Sequence, residues 1–400
     1  MENYKVLLPE FEKELNNILS WWGTFTPDRE EGGFYGELNN DNEVIAGAVK
    51  GAVLNARILW SFSAAYNLTQ DPGYLDPASR ACMYIRDHFI DKDFGGVYWS
   101  VDAKGAPIDL KKQIYAIAFT IYGLTEYHRA RPDKKVLELA KKLYEDIEGH
   151  SYDPLKGGYL EAFTREWAPV EDLRLSAKDA NEKKTMNTHL HILEAYTNLY
   201  RVWQDEGLNK KIRLLLQVFE EHIVDPATHH LILFFDEDWT VRSAIDSYGH
   251  DIEASWLLVE AAEILEDEPL LHRTREMALK IAAASAEGLN ADGSMSYELD
   301  RAQGHLIAER HWWVQAEAMV GFFNAGQMTG EEHYYRKFRA VWEYTRSSII
   351  DRDKGEWFWG RHADGSLMAG QDKAGFWKCP YHNSRACIEI IRRLRASAQA

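Results

Sequence analysis

A glycine and aromatic phrase recurs along this chain of 400 residues at an almost constant spacing. Its clearest form is DKDFGGVYWS at 91–100, where a turn and two glycines precede alternating aromatic residues. Related segments are EEGGFYGEL (30–38), KGGYLEAF (156–163), HHLILFFDEDW (229–239), DGSMSYEL (292–299) and KGEWFWGRH (354–362). Anchored on the second glycine or its equivalent, the six copies lie near 33, 96, 158, 231, 293 and 355. Most intervals are 62 or 63 residues and one is 73, which indicates one structural unit repeated six times.

Each unit contains two kinds of helical pattern. One kind is apolar on nearly all faces and rich in small residues, as in GAVLNARILWSFSAAY at 51–66. The other has a single apolar stripe and a charged face, as in DKKVLELAKKLYEDIEG at 133–149. A helix that is apolar all round is buried, whereas a striped helix faces water on one side. Six inner and six outer helices that close on each other predict an all-α fold, an (α/α)6 barrel.

The glycine phrase is the predicted connection at one rim of this barrel. Glycine supplies the backbone freedom of the turn that ends each outer helix, and the alternating residues after it favour a short β-hairpin. No linker, low-complexity tract or shift in composition interrupts the six units. We therefore expect residues 1–400 to form a single catalytic barrel domain.

The charge and the cysteines of the chain limit its partners and its compartment. The formal net charge of −17 disfavours nucleic acid or an anionic membrane as a partner. No apolar run reaches the roughly 20 residues that span a bilayer, and the first residues do not resemble a secretory signal. Cys82, Cys379 and Cys387 form no CxxC pair and are expected to be reduced thiols. These features predict a cytoplasmic enzyme, and in the absence of an interface pattern we expect a monomer.

The inner helix of each unit opens with an unusual polar or aromatic side chain. In chain order these residues are Arg57, Tyr115, His191, His250, Trp313 and His382. Their spacings of 58, 76, 59, 63 and 69 residues follow the repeat, so equivalent helices should carry them at one level. We expect a ring at one end of the barrel in which an Arg, a Tyr, a Trp and three His surround one cavity.

Local spacing adds one amide and one carboxylate to this ring. Asn187 and His191 are four residues apart and share a helix face, whereas His189 points elsewhere and is interpreted as structural. His250 and Glu253 are three residues apart, so the carboxylate can orient or acidify a neighbouring group. Structural accidents have no reason to follow the repeat, which favours a functional role for the three ring histidines.

Several chemistries are compatible with such a ring. Two histidines on opposite sides of a sugar can remove and return a proton near neutral pH, while an arginine stabilises the enolate oxygen. Three His and a Glu could instead bind zinc, although the chain has no HxxxH or HExxH pair among these histidines. An inverting glycoside hydrolase would use Glu253 and Glu317 as its two carboxylates. A sugar-binding module is a further alternative, but binding alone requires no titratable imidazoles.

Five segments spread over nearly the whole chain are long enough to compare with known families. They are KGAVLNARILW (50–60), SAKDANEKKTMNTHLHILEAYTNLYRVW (176–203), SYGHDIEASWLL (247–258), RHWWVQAEAMVGFFNA (310–325) and FWKCPYHNSRACIEII (376–391). These segments resemble the cellobiose 2-epimerases of the N-acylglucosamine 2-epimerase superfamily. The resemblance implies an (α/α)6 barrel that needs no cofactor or metal. It also implies reversible epimerisation at C2 of the reducing-end glucose in β-1,4-linked disaccharides such as cellobiose, lactose and mannobiose.

The resemblance further implies roles for individual residues. His250 and His382 would be the acid/base pair at C2, and His191 would assist ring opening or proton transfer at the O1 and O2 side. The implied reaction runs through ring opening, a cis-enediolate, rotation about C2–C3 and reprotonation by the other histidine. Arg57 and Asn187 would hold the enediolate oxygens, and Glu253 would position His250. Tyr115 and Asp179 would belong to the polar wall of the site. Trp313 and Trp377 would stack on the sugar rings. Trp377 would stack on the non-reducing unit.

The branch of the superfamily affects the expected substrate. THLHILEAY and GHDIEASW are more similar to the cellobiose branch than to the N-acylglucosamine branch, which disfavours an acetamido substrate and a nucleotide activator. The stretch YELDRAQGHLIAERHWW at 297–313 is expected to shape the disaccharide end of the site. An epimerase of free mannose and glucose, or an aldose–ketose isomerase of the same superfamily, remains the alternative.

Overall fold

The structure, a computed structural model, describes residues 6–399 and consists mainly of helices. Within this range twelve α-helices alternate between an outer layer, which is odd-numbered, and an inner layer, which is even-numbered. They are α1 (Leu8–Phe25), α2 (Ala52–Thr69), α3 (Leu75–Tyr84), α4 (Ile114–Ala130), α5 (Lys134–His150), α6 (Met186–Tyr200), α7 (Glu206–Val218), α8 (Tyr248–Glu263), α9 (Glu268–Ser285), α10 (Trp312–Thr329), α11 (Glu332–Tyr344) and α12 (Tyr381–Gln399). None of the helices in this range combines the length and apolar character that crossing a membrane requires.

The inner helices form a closed ring. Each contacts the next, from α2 through α4, α6, α8 and α10 to α12, and α12 packs back against α2. Outside this ring α3 packs on α2, α5 on α4, α7 on α6, α9 on α8 and α11 on α10, while α1 packs on α12. The predicted (α/α)6 barrel is therefore confirmed.

Burial explains why the two helix types occupy different layers. Every residue of α2 from Ala52 to Ala65 is buried, as expected for a helix enclosed by neighbours. In α5 the buried residues form one stripe, Val136, Ala140, Leu143, Tyr144 and Ile147. Small residues let inner helices approach closely, since a Cβ added to Gly123 of α4 would lie only 2.6 Å from the Ala56 carbonyl oxygen of α2. The apolar pattern of each helix thus determines its layer.

Short antiparallel strands connect the helices at one rim. They are β1 (Lys50–Gly51), β2 (Ser100–Val101), β3 (Pro107–Asp109), β4 (Lys112–Gln113), β5 (Ala162–Phe163), β6 (Lys184–Thr185), β7 (Phe234–Phe235), β8 (Ile245–Ser247), β9 (Glu298–Asp300), β10 (His305–Ile307), β11 (Arg310–His311) and β12 (Gly360–Arg361). They pair as β1-β2-β3, β8-β9-β10, β4-β5, β6-β7 and β11-β12. Helices α2, α4, α6, α8 and α10 each begin directly after a strand, so these pairings fix where the inner helices start.

The glycine phrase forms a tight loop at the end of each outer helix. After α3 and a π-helical turn (Ile85–Phe89), Ile90 pairs with Val97 across the loop. Gly95 and Gly96 have φ angles of +78° and +64°, which only glycine adopts without strain. The equivalent pairs are Pro27/Phe34, Tyr152/Tyr159, Val224/Leu231, Leu289/Met295 and Ile350/Trp357. The predicted turn after each outer helix is confirmed.

A buried ion pair, which the sequence analysis did not predict, ties these loops to the inner helices. Asp91 Oδ1 accepts hydrogen bonds from the backbone N–H groups of Asp93 and Phe94 within the loop. Its Oδ2 contacts Lys112 Nζ at 2.8 Å, and both side chains are fully buried. Lys112 lies on β4, immediately before α4. The equivalent pairs are Asp28–Lys50, Asp153–Lys184 and Asp351–Lys373.

Candidate active site

The six predicted ring residues lie in the first two turns of the inner helices, at the rim that carries the strands. They are Arg57 on α2, Tyr115 on α4, His191 on α6, His250 on α8, Trp313 on α10 and His382 on α12. Arg57, Tyr115, His191 and His382 are buried, whereas His250 and Trp313 are half-buried. Because the inner helices form a closed ring and start at the same rim, these side chains surround one mouth of the barrel.

Two of the histidines contact the same tryptophan. The centre of the Trp313 ring lies 4.8 Å from that of His250 and 5.6 Å from that of His382. His250 Nδ1 shares a hydrogen bond of 2.8 Å with Ser247 Oγ, and His382 Nδ1 donates to Glu317 Oε1 at 2.7 Å. Each imidazole is therefore held through Nδ1, and Nε2 is its remaining proton-exchanging nitrogen.

The third histidine lies beside an arginine and a tyrosine. Arg57 Nη2 donates to the Tyr115 hydroxyl at 2.6 Å, and its guanidinium stacks 4.2 Å from the centre of the Phe119 ring. The Tyr115 ring meets that of His191 edge-on at 5.1 Å. His191 Nδ1 in turn donates to Glu194 Oε2 at 2.9 Å. This side of the mouth thus combines a fixed positive charge with hydrogen-bond donors.

Burial and nearby cations lower the basicity of the histidines. Burial lowers the pKa of His250 to about 3, and the charges of His191 and Arg57 add to this effect. The pKa of His382 is also well below its usual range because of burial, followed by the charges of Arg57 and Arg385. Both imidazoles are therefore neutral at neutral pH and can accept a proton.

A buried arginine one turn deeper connects three carboxylates. Arg385, only 1% exposed, follows His382 by three residues on α12. Its Nη2 donates to Glu253 Oε1 at 2.5 Å and to Glu317 Oε1 at 2.6 Å, and its Nη1 donates to Glu194. We call Arg385, Glu194, Glu253 and Glu317 the Arg385 cluster. Glu194 and Glu317 of this cluster also accept the Nδ1–H groups of ring histidines, so the cluster supports the mouth from below.

The carboxylates of the Arg385 cluster have different charge states. Although burial opposes ionisation, Arg385 and the hydrogen bond from His191 lower the pKa of Glu194 to about 2. Burial, together with the charge of Glu317, raises the pKa of Glu253 to about 7. The cluster therefore contains a firmly ionised carboxylate and one that titrates near neutrality.

Glu253 does not occupy the position that was predicted for it. Its hydrogen bond is to Arg385, and its Oε1 lies 4.0 Å from His382 Nδ1. His250, which Glu253 was expected to position, is instead held by Ser247. A spacing of three residues places two side chains on one face of a helix. Here, however, His250 points into the mouth and Glu253 points into the barrel. The prediction that Glu253 positions His250 is wrong.

The other predicted residues lie around the mouth. Asn187, in the first turn of α6, has a buried Oδ1 without a hydrogen-bond partner among the described residues. Trp377, in the segment before α12, lies 6.2 Å from the ring of Tyr115 and is half-buried. Asp179, on the loop before β6, accepts hydrogen bonds from the backbone and the hydroxyl of Ser176. These hydrogen bonds of Asp179 lie within its own loop and not with the six ring residues.

The Arg385 cluster bears on the metal and hydrolase alternatives. Within the described residues, Glu253, Glu317 and His382 bring potential ligand atoms within 4.8 Å of one another. The Arg385 guanidinium, however, donates to both carboxylates and already supplies the positive charge that a metal ion would provide. Inverting hydrolases separate their carboxyl groups by about 6.5–9.5 Å to admit a water. The Glu253 and Glu317 carboxylates are too close together for an inverting hydrolase. The arginine that they share takes the place that a metal ion would need.

Comparisons with known proteins identify similar chains. The model of the N-acylglucosamine 2-epimerase family matches residues 33–386. A protein of Bacteroides fragilis named cellobiose 2-epimerase is 53% identical over 388 residues, which cover 97% of this chain and 99% of the relative. The solved structure of a cellobiose 2-epimerase from Bacillus thermoamylovorans is 40% identical, with a TM-score of 0.93 over 98% of this chain and all of the other. A crystal structure of a D-mannose isomerase, 19% identical, shares the fold with a TM-score of 0.85 over 96% of this chain and 97% of the other.

Proposed function

The chain belongs to the N-acylglucosamine 2-epimerase family, and we propose that it epimerises C2 of the reducing-end glucose in β-1,4-linked disaccharides such as cellobiose and lactose. The observation that carries this proposal is the pair His250 and His382, two neutral imidazoles from different inner helices that both contact Trp313. The similarity to relatives named cellobiose 2-epimerase supports the substrate class. Inversion at one carbon requires a base and an acid at opposite faces, and this pair provides both.

Proton transfer at C2 follows from the state of the two histidines. In the open-chain sugar the hydrogen at C2 is next to the aldehyde, so its removal gives an enediolate. A neutral Nε2 accepts that hydrogen, and the resulting imidazolium is stabilised through Nδ1 by Ser247 at His250 or by Glu317 at His382. The other histidine takes up a proton at Nε2 from solvent and delivers it to the opposite face of C2, which inverts C2, and the first histidine then releases its proton to solvent. Each positioned acid or base contributes about 10²–10⁴-fold to such a step.

The negative charge that develops on the oxygens needs fixed donors. Arg57 stays charged at all working pH values, and burial raises the pKa of the Tyr115 hydroxyl so that it remains a donor. Both groups are already oriented by their mutual hydrogen bond. The unpartnered Oδ1 of Asn187 can accept a sugar hydroxyl in the same region. We assign these residues to O1 and O2, because preorganised donors stabilise an oxyanion without reorganisation.

His191 is assigned to ring opening. Its Nδ1 donates to the ionised Glu194, so its Nε2 is available to take the proton of the C1 hydroxyl. The edge-on contact with Tyr115 supports an assignment of His191 to the oxygen side of the mouth. In this assignment His191 transfers protons at the sugar oxygens, whereas His250 and His382 transfer protons at C2.

The segment at 297–313 and Trp377 support a disaccharide rather than a single sugar. Strands β9 and β10 form a hairpin that pairs with β8 directly before α8, so the hairpin stands at the edge of the mouth beside His250. Trp377 is half-buried beside Tyr115 and offers an aromatic face to a second sugar ring. Asp179 lies near this hairpin and can bind outer hydroxyls.

We further propose a cytoplasmic, monomeric enzyme that forms one catalytic domain and works without a cofactor. Cys82, Cys379 and Cys387 are free and buried, which favours a reducing compartment. The Arg385 cluster supplies charge by side chains alone, which supports chemistry independent of a metal. Size-exclusion chromatography with light scattering tests the monomer, and full activity after dialysis against a chelator tests the metal independence.

Incubation of the purified protein in D₂O tests the proposed function. Cellobiose, lactose, mannose and N-acetylmannosamine are supplied separately and followed by NMR. We expect a glucosyl-mannose product from cellobiose with deuterium at C2, because the histidine that reprotonates C2 delivers a solvent-derived deuteron. Release of free glucose would indicate a hydrolase, and activity only on mannose would indicate a monosaccharide epimerase or isomerase.

A further inference from the structure

The three ring histidines are held by different partners. His191 and His382 donate Nδ1–H to the carboxylates of Glu194 and Glu317, respectively. His250 instead meets the hydroxyl of Ser247 at 2.8 Å. A carboxylate can only accept a hydrogen bond, whereas a hydroxyl can donate or accept. The protonated nitrogen of His250 therefore depends on what lies behind Ser247.

A carboxyl group lies directly behind Ser247. Ser247 is the last residue of β8, is fully buried, and precedes the first turn of α8, which carries His250. In the antiparallel register of β8 and β9, Ser247 is directly opposite Glu298. Residues that face each other in this way have Cβ atoms about 4.5–5.5 Å apart on one face of the sheet. This register puts the side chains of Ser247 and Glu298 on the same face of the sheet, while the Ser247 hydroxyl contacts the imidazole of His250.

The single hydroxyl proton of Ser247 couples the two groups. If Glu298 is ionised, Ser247 donates to it and accepts from His250 Nδ1–H, so Nε2 is bare and can act as a base. The same arrangement also stabilises the imidazolium, because Nδ1–H still has an acceptor. If Glu298 is protonated, it can donate to Ser247, whose hydroxyl then donates to Nδ1 and places the proton on Nε2.

We propose that Glu298 and Ser247 form a relay that positions His250 and sets whether its Nε2 is bare or protonated. The proposal rests on the proposed epimerase function, in which His250 acts at C2. Glu298 and Ser247 are positioning residues in this account, because they act through His250 rather than on the sugar. The ionised form of Glu298 is the active form in both directions of the reaction.

The surroundings of Glu298 place its titration near the working pH. Burial raises the pKa of Glu298 to about 7, while hydrogen bonds from Tyr297 and Ser247 and the charge of Lys178 oppose the rise. The charge of Asp179 adds to it. On β10 the opposite residue is Ile307, which contributes no charge. Activity that depends on ionised Glu298 should therefore increase as the pH rises through about 7.

The first test compares substitutions at the relay with a matched control. Ser247→Ala should lower kcat for cellobiose about 100-fold with little change in KM, since misplacing a reacting group costs about this much. Ser247→Thr keeps the hydroxyl, which should restore most of kcat. Glu298→Gln should remove the rise in kcat/KM near pH 7. The control is Glu161→Gln, because Glu161 is also buried with a pKa raised to about 7 by burial, but it contacts Thr185 and Thr188 instead of a histidine.

The second test reads the tautomer of His250 without turnover. Protein labelled with ¹⁵N-histidine is titrated from pH 5.5 to 8.5, and the His250 signals are assigned by their loss in His250→Asn. We expect Nε2 to change from protonated to unprotonated as the pH rises through about 7 in the wild type, but not in Glu298→Gln. An unchanged tautomer, or equal effects of Glu161→Gln and Glu298→Gln on the pH profile, overturns the relay. A wild type that leaves cellobiose unchanged but shows the tautomer change contradicts the proposed function and not the relay.

Discussion

Removing the charge of Arg385 should destabilise the protein in a pH-dependent way. Arg385→Met keeps much of the volume of the side chain but leaves three buried carboxylates without their common cation. The pKa of Glu194 is lowered to about 2 from its ordinary value of 4.5 in the intact cluster. At 1.36 kcal/mol per pKa unit this shift stabilises the native state by about 3 kcal/mol at neutral pH.

The sign of the pH effect follows from the carboxylates. In the wild type the stabilisation by ionised Glu194 is present above pH 4.5 and is lost only as the pH falls toward about 2. In Arg385→Met the buried carboxylates have pKa values above those of the unfolded chain, so the penalty grows as the pH rises above 4.5. We therefore expect a loss of about 3 kcal/mol at pH 5 that grows to about 5 kcal/mol at pH 7.5.

Thermal unfolding measured at both pH values tests this prediction. With an unfolding entropy of about 2.1 cal/mol/K per residue, a loss of 3–5 kcal/mol lowers Tm by about 4–6 °C. Arg393→Met is the matched control on the same helix, since Arg393 donates to the neutral Asn324 and Gln327 and pairs with one partly exposed carboxylate, Glu389, at 3.7 Å. An equal loss of Tm at pH 5 and pH 7.5, or equal losses in both variants, would refute the reasoning about buried carboxylates.

Three further predictions concern the mouth and the rim. His250→Asn and His382→Asn should each lower epimerisation of cellobiose about 10²–10⁴-fold with unchanged circular dichroism, because each removes one acid/base group; undiminished turnover in both variants would contradict the assignment. Lys112→Met should lower the free energy of unfolding by about 1–3 kcal/mol, since Asp91 is fully buried but retains the partly exposed Arg165 as a cation, whereas Lys141→Met, which removes an exposed pair, should lower it by less than about 1 kcal/mol. Trp377→Ala should raise KM for cellobiose while leaving KM for mannose nearly unchanged, which steady-state assays with both sugars measure.

The fold was predictable because its determinants are local and repeated. Every residue from Ala52 to Ala65 of α2 is buried, and the corresponding apolar run is visible in the sequence. The turn glycines mark the end of each outer helix at the same interval. His189 was also read correctly, since its Nε2 accepts the backbone N–H of Tyr159 and its Nδ1 meets the Thr185 carbonyl oxygen. Periodicity alone therefore determines which helices lie inside and where they begin.

The partners of the ring residues were not predictable, because they come from other helices. Arg385 and Glu194 each follow a ring histidine by three residues, a spacing that places them one turn deeper. Spacing does not tell which carboxylates from α6, α8 and α10 converge on one guanidinium, and for this reason Glu253 was assigned to the wrong histidine. Ser247 was missed because its role depends on the pairing of β8 with β9.

Deuterium exchange by the single-histidine variants tests the central claim most directly. His250→Asn and His382→Asn are incubated in D₂O separately with cellobiose and with its C2 epimer, and C2 is observed by NMR. If the two imidazoles serve opposite faces, each variant should exchange the C2 hydrogen of only one of the two sugars, and the two variants should differ in which one. Exchange of both sugars by either variant would contradict the account.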